Sequence, residues 1–187
     1  MKYIFTLCLI FLFSLSYSQD SSTILQIRAK FNSWQKILDK TDSTSVKIYN
    51  IFYGENYDKN EWTYNPTTIN EGFISDEVTI YKNKELGLMF ILRENTPSGD
   101  WSMYSEHYYD KSGILYFVFR SLNTFQASEP LTVENRLYFN NKGDLIKSLE
   151  SVYKMNTKEK ASNPDYMKRE TEYWLELKEL PFYSLLK

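Results

Sequence analysis

The sequence contains very little of the residue types on which many catalytic and metal sites depend. Its single cysteine, Cys8, lies in an apolar N-terminal run, and its single histidine is His107. If the N-terminal run is removed, the chain has no disulfide, no thiolate nucleophile and no cysteine ligand. A zinc site normally takes three or more protein ligands, mostly His or Cys, so it would have to be built from carboxylates. We therefore expect no metal, no cofactor and a fold stabilised by packing.

Two further features argue against nucleic-acid and phosphate sites. The charges are nearly balanced, and the glycines are few. The chain has 22 basic and 24 acidic residues and a formal net charge of −2, so it offers no concentrated basic face for nucleic acid. Its six glycines are scattered and form no phosphate-binding loop. No serine lies in a Gly-x-Ser-x-Gly motif, and no Asp-rich calcium loop is present. The composition predicts no nucleic-acid partner.

The first eighteen residues have the pattern of a secretory signal. A basic residue is followed by an almost unbroken apolar run, residues 4–15, and then by Ser16 and Ser18, small residues at the two positions that a signal peptidase recognises. The run is shorter than the roughly twenty residues that span a bilayer, and no second long apolar run follows. Cys8 lies inside the run and not at its end, which argues against a lipoprotein. We predict cleavage before Gln19 and no integral membrane segment afterwards.

The leader, with Tyr17 and Ser18 before the expected cut and Gln19 directly after it, resembles the leaders of exported proteins of Bacteroidota. The resemblance covers residues 1–20 and implies an address, the periplasm or the outside of the cell. It implies no ligand and no active site.

Residues 19–187 are predicted to form a single α+β domain that begins with a helix in residues 19–45. Ser21 and Ser22 can cap that helix, which should end near Lys40. Apolar residues then recur at spacings of three and four, which places them on one stripe. The stripe spans barely two heptads, so we expect it to pack on a sheet and not to form a coiled coil. It consists of Ile24, Ile27, Phe31, Trp34 and Leu38.

Residues 46–154 are predicted to form a curved antiparallel meander of about six to eight strands. Short runs rich in Tyr, Phe, Ile, Val and Thr are broken there by Asn, Asp, Gly and Pro. The strands are expected near residues 46–54, 73–82, 86–94, 101–110, 114–122, 131–140 and 145–154, with a further short strand at 61–64.

A repeated turn pattern indicates where this sheet folds back. In Tyr109–Gly113 and Phe139–Gly143, an aromatic residue is followed four positions later by glycine, with Asp or Asn at the entry. Such a loop suits a type I turn closed by a left-handed glycine. Weaker copies at 57–61 and 81–85 have Glu in place of glycine. There we expect Asn60 or Asn83 to take the left-handed conformation, with the hinges at 81, 109 and 139 on one end of the sheet.

The predicted strands at 86–92 and 114–119 are apolar on both faces, so the sheet needs a second cover besides the helix. That cover is expected from residues 155–187, a polar loop followed by a C-terminal element. Apolar residues between Pro164 and Leu180 recur near helical spacing, which favours a helix. Alternation at 173–177 would also suit an edge strand.

The chain offers few arrangements for catalysis. Strand alternation puts His107 on one face and its neighbour Glu106 on the other, so that acid cannot orient the imidazole as a base. Carboxylates for glycoside cleavage would have to come from a scattered set whose spacing selects no pair. That set is Asp100, Glu106, Asp110, Glu134 and Glu150. We predict no catalytic residue.

The preferred hypothesis is an exported, non-catalytic binding module for a protein or an amphipathic ligand. Tyr and Trp bury a large area at small entropy cost, and they keep a polar tip. The candidate binding residues are Trp62, Tyr64, Trp101, Tyr104 and Tyr108. An inhibitor or immunity-like protein against an exported toxin is a variant of this hypothesis. A carboxylate- or His-dependent hydrolase and a structural envelope component are the alternatives.

Overall fold

The computed structural model describes residues 2–39, 47–55, 60–64, 74–95, 99–162 and 164–186. By its internal contacts the chain divides into two compact units, residues 1–43 and residues 44–187. The first is a helical unit and the second is a sheet unit. The predicted packing of the helix on the sheet stays a prediction.

The helical unit consists of α1, which runs without a break over Lys2–Leu38. The prediction that a helix begins at Ser21 or Ser22 is therefore wrong, whereas its predicted end near Lys40 is close to the observed one. The physical reason is that residues 2–38 contain no Gly and no Pro, so nothing interrupts the helix between the apolar run and the amphipathic stripe. In the described part of the chain, no helix combines the length and the apolar character needed to cross a membrane.

Eight strands in the described part of the sheet unit form one open, curved antiparallel sheet. Its order is β2-β1-β3-β4-β5-β6-β7-β8, so β3 to β8 form a meander and the β1–β2 hairpin extends one edge. This confirms the α+β class and the antiparallel meander, and each strand begins and ends within two residues of its predicted position. The strands are β1 (Lys47–Glu55), β2 (Asn60–Thr63), β3 (Ile74–Asn83), β4 (Gly87–Asn95), β5 (Trp101–Tyr109), β6 (Leu115–Thr124), β7 (Leu131–Phe139) and β8 (Leu145–Lys154).

The two strong hairpin copies fold as predicted. Gly113 and Gly143 have φ of +82° and +86°, a left-handed conformation that glycine adopts without steric cost. At the entry of the first turn, Asp110 Oδ1 accepts hydrogen bonds from the main-chain N–H groups of Ser112 (2.9 Å) and Ile114 (3.1 Å). Asn140 Oδ1 caps the second turn in the same way. Local turn chemistry therefore fixes these hinges.

Of the two weaker copies, the one at 81–85 closes differently from the prediction. Asn83 is the last residue of β3, and its side chain accepts hydrogen bonds from the main-chain N–H groups of Glu85 and Leu86. The residue with positive φ is Gly87, at +103°. Asn60 lies in β2, and residues 57–59 fall outside the described residues. The left-handed position therefore goes to the nearest glycine, where it costs least.

Residues 164–186, which we call the C-terminal segment, pack against one face of the sheet, which we call the covered face. Leu180 and Phe182 of this segment are buried, and Trp174 and Leu177 pack beside them. The sheet contributes the rest of this core, namely Ile51, Val78, Ile80, Leu88, Phe90, Leu92, Tyr109, Leu115, Val118, Leu137 and Phe139. The expectation that the C-terminal residues cover one face of the sheet is confirmed, whereas the expected cover by the helix stays a prediction.

The predicted C-terminal helix does not form. The C-terminal segment is irregular up to residue 175 and then makes 3-10 turns at Leu177–Glu179 and Tyr183–Leu186. The main-chain N–H of Leu115 donates to Leu175 O (2.9 Å), and the N–H of Leu177 donates to Gly113 O (3.0 Å). These bonds hold the chain extended beside the β5–β6 hairpin, which is closer to the edge-strand alternative than to a helix.

Candidate functional site

A buried arginine joins the sheet to the C-terminal segment. Arg120 lies in β6 on the covered face and is 1% exposed. Its Nη1 donates hydrogen bonds to the main-chain oxygen of Arg169 (2.7 Å) and to Thr171 Oγ1 (3.0 Å). Its Nε has no hydrogen-bond partner among the described residues. Burial lowers the pKa of Arg120, because removal from water disfavours the charged form.

A groove of about 500 Å³ opens between β6–β8 and the C-terminal segment, with Arg120 in its lining. Its volume lies in the range of small-molecule pockets in proteins. Apolar side chains include Leu145 and Tyr173, which are 48% and 38% exposed, so part of the apolar wall faces solvent. The full lining is Arg120, Val133, Asn135, Leu137, Leu145, Ser148, Glu150, Tyr166, Lys168, Arg169, Glu170, Thr171 and Tyr173.

Most of the charged groups in this groove have partners of their own. Glu150 accepts a hydrogen bond from Asn135 Nδ2 (3.1 Å) and lies 3.8 Å from Lys168 Nζ. Burial, together with the neighbouring Glu150 carboxylate, raises the pKa of Tyr166 to about 12, so its phenol stays protonated. The guanidinium of Arg169 lies over a ring, with its Cζ 4.1 Å from the centroid of Trp101.

Three carboxylates lie on the same side of the sheet as Arg120 or close to it. Asp76 in β3 and Glu94 in β4 are directly opposite each other, and Glu172 of the C-terminal segment is their electrostatic neighbour. Burial raises the pKa of Asp76 to about 6, with a further contribution from Glu172. Burial raises the pKa of Glu94 to about 7, and the charges of Asp76 and Glu172 raise it further. Glu94 is therefore about half protonated at neutral pH, whereas Asp76 is mostly ionised there.

His107 lies deep inside the covered face, as expected for a histidine among strand aromatics. Its ring stacks on Phe90 at 4.4 Å and lies 6.0 Å from Trp174, and its exposure is 0%. Burial lowers its pKa to about 3, so the imidazole is neutral. Its Nε2 is 3.0 Å from Ser105 Oγ. Glu106 points to the opposite face, where it accepts hydrogen bonds from Tyr104 and Tyr108.

The five predicted binding residues do not lie on one surface. Trp62 packs beneath the C-terminal segment, 4.9 Å from Phe182, and the hydroxyl of the exposed Tyr64 donates to Leu185 O. Trp101 lies on the covered face beneath Arg169.

The other two, Tyr104 and Tyr108, lie on the opposite face of β5. Tyr108 packs against Phe117 at 5.7 Å. Tyr104 lines a smaller pocket of about 250 Å³ with Arg93, whose Cζ is 5.8 Å from its ring. Period-two alternation along β5 separates Trp101 from both tyrosines, so these aromatics cannot form one patch.

Sequence reasoning missed Arg120 and the C-terminal segment that contacts it. A signal for Arg120 was present, because it is a charged residue that lies between Val118 and Leu122 on the same, inner face of β6. The contact with Arg169 and Thr171 joins positions about fifty residues apart, which no local pattern reveals. Within the described residues, no three His, Cys, Asp or Glu side chains come together as a metal site.

Comparisons with known proteins found no match: no family model matches the chain, and no curated protein or solved structure is significantly similar to it.

Proposed function

We propose that this chain is an exported, non-catalytic binding module that holds a small amphipathic ligand in the groove between β6–β8 and the C-terminal segment. The single observation that carries the proposal is the groove itself, about 500 Å³ in volume, in which apolar walls and a buried guanidinium line the same space. Pockets for small molecules combine mainly apolar surface with a few well-placed polar groups. The signal-like pattern of residues 1–18 supports export.

The exposed apolar rim supports an amphipathic ligand in particular. Leu145 and Tyr173 leave apolar surface open at the mouth of the groove, and Tyr173 is held in place by Phe139, 5.0 Å away. A ligand with an apolar portion would cover this surface. Its polar end could then reach the charged lining, which includes Arg120 and Lys168.

The test uses a neutral amphiphile, dodecyl maltoside below its micelle concentration, titrated into the isotope-labelled chain and followed by NMR. We expect amide shifts to cluster on β7, β8 and residues 166–173. Replacing Leu145→Ser should weaken binding about 3- to 10-fold, because it removes half-exposed apolar contact area. Phe125→Ser is the matched control, since Phe125 is 54% exposed outside the groove. Shifts spread over the whole surface, or equal losses in both variants, would refute groove binding.

A carboxylate-dependent hydrolase is the second candidate, and a specific observation favours it. Asp76 and Glu94 are opposed on neighbouring strands, and their raised pKa values, about 6 and about 7, suit proton transfer near neutral pH. Chromogenic glycosides and esters test this candidate directly. Turnover that is abolished by both Asp76→Asn and Glu94→Gln would establish the hydrolase. No turnover by the folded chain across the panel would leave binding as the function.

A further inference from the structure

The guanidinium of Arg120 is a buried charge without an ion-pair partner in the described part of the chain. It is 1% exposed, and no carboxylate of a described residue lies within salt-bridge distance of it. A buried charge normally requires both pairing and hydrogen bonds to offset its desolvation. Burial at this position therefore makes the group a strong attractor for an anion.

One edge of the guanidinium is already used, and the other is not. Both hydrogen bonds that Arg120 makes with described residues come from Nη1, which faces the C-terminal segment. Nε is buried and unpartnered. In a planar guanidinium, Nε and Nη2 form an edge that matches the two oxygens of a carboxylate. The side chain of Arg120 also lines the groove, so the guanidinium and the apolar walls belong to the same site.

The nearby acids do not serve as the missing partner. Glu94 is the strongest electrostatic neighbour of Arg120, yet its own pKa is raised and not lowered, as it would be in an ion pair. Glu150 is bound to Asn135 and lies beside Lys168. Arg120 therefore remains available to pair with an anionic group that enters the groove.

We propose that the groove recognises an amphipathic carboxylate, whose head group binds the Nε edge of Arg120 while its apolar portion lies against Leu137, Leu145 and Tyr173. This assignment rests on the proposed binding function and adds the chemical class of the ligand. Lys168 at the groove surface contributes positive potential, whereas Arg120 provides the directional contact.

The first test compares three probes with the same twelve-carbon tail on the purified full chain: dodecanoate, dodecyl maltoside and dodecyltrimethylammonium. Calorimetry at neutral pH, below the micelle concentrations, gives the affinities. We expect dodecanoate to bind about 10- to 100-fold more tightly than dodecyl maltoside, the range of hydrogen bonds to a charged group. We expect the cation to bind more weakly than either. This comparison needs no variant, so it does not depend on how a substitution affects folding.

The second test assigns the preference to Arg120. Arg120→Met removes the buried charge together with its hydrogen bonds to Arg169 O and Thr171 Oγ1, and it should abolish the preference for dodecanoate while dodecyl maltoside still binds the apolar walls. Arg120→Lys keeps the charge but loses the bidentate edge, so part of the preference should be lost. Lys168→Met removes the exposed positive charge of the groove and should lower dodecanoate affinity by less than about 3-fold, whereas Lys111→Met, 60% exposed and outside the groove, is the control that should leave it unchanged.

The possible outcomes separate the two proposals. Equal binding of dodecanoate and dodecyl maltoside to the wild-type chain would overturn the carboxylate assignment and leave the binding function intact. Binding of none of the three probes would overturn both. A loss in Lys168→Met as large as that in Arg120→Met would show that diffuse positive charge, and not the Arg120 edge, selects the ligand.

Discussion

Glu94 is expected to destabilise the fold increasingly as the pH rises, and Glu94→Gln should remove this effect. Its pKa is raised from an ordinary value of 4.5 to about 7 by burial and by the charges of Asp76 and Glu172. An acid whose pKa is higher in the folded state binds its proton more tightly there, so ionisation above that pKa costs stability. From pH 5 to pH 8, the two pKa values give a cost of about 2 to 3 kcal/mol.

Urea unfolding followed by tryptophan fluorescence at pH 5, 6, 7 and 8 measures this cost as a difference between two chains. The stability of Glu94→Gln relative to wild type should increase by about 2 to 3 kcal/mol over that range. The difference cancels titrating groups that do not interact with Glu94, including His107, whose lowered pKa destabilises the fold at acid pH. Glu85→Gln is the control, because its side chain is 85% exposed. A pH-independent difference between Glu94→Gln and wild type would refute the burial of this carboxyl.

Three further predictions test the core, the turns and the buried histidine. Phe182→Ala should lower the free energy of unfolding by about 3 to 5 kcal/mol, because this ring of the C-terminal segment is 1% exposed and packs in the core against the sheet, while exposed Phe125→Ala should change it by less than about 0.5 kcal/mol. Gly99→Ala should cost about 1 to 2 kcal/mol, the cost of placing Ala in a left-handed conformation, because open space surrounds this position. Gly87→Ala should cost more, because its new methyl group would collide with main-chain atoms of β5 and of the turn that follows. The urea midpoints of the two variants rank these costs. The imidazole resonances of His107 should show no titration between pH 8 and pH 5 in NMR spectra, because its pKa is lowered to about 3; a titration near pH 6 would contradict its burial.

The meander could be predicted because the sequence signals for its turns and strands are local. Asp110 and Gly113 specify a turn within five residues, and strand alternation then fixes which side chains share a face. The glycine that closes the β3–β4 turn was misassigned because the weak repeat suggested Asn83, although Gly87 stood four positions further on. A turn with two candidate residues is resolved by which one adopts positive φ at lower cost.

The groove could not be predicted, because it depends on contacts between distant parts of the chain. The apolar residues of the C-terminal segment have weak helical spacing between Pro164 and Leu180, but packing against the sheet stabilises the segment more than a helix would. Tyr109 donates a hydrogen bond to Trp174 O (2.8 Å), and Phe182 fills the core. Tertiary packing therefore overrides a weak local preference. The aromatic residues chosen for binding were distributed over both faces by the same alternation that built the sheet.

The register of the sheet explains why Glu94, an acid with a raised pKa, and Arg120 share one face without forming an ion pair. Glu94 lies opposite Met103, and Arg120 lies opposite Ser105, so β5 separates the two charged residues. Strands β4 and β6 are two spacings apart, about 10 Å, and the two residues are also offset along the strand direction. The side chains cannot close this gap while Arg120 Nη1 is held by Arg169 and Thr171. The fold thus keeps the guanidinium from the internal carboxylate that would neutralise it, and an arginine held in this way is suited to bind an external one.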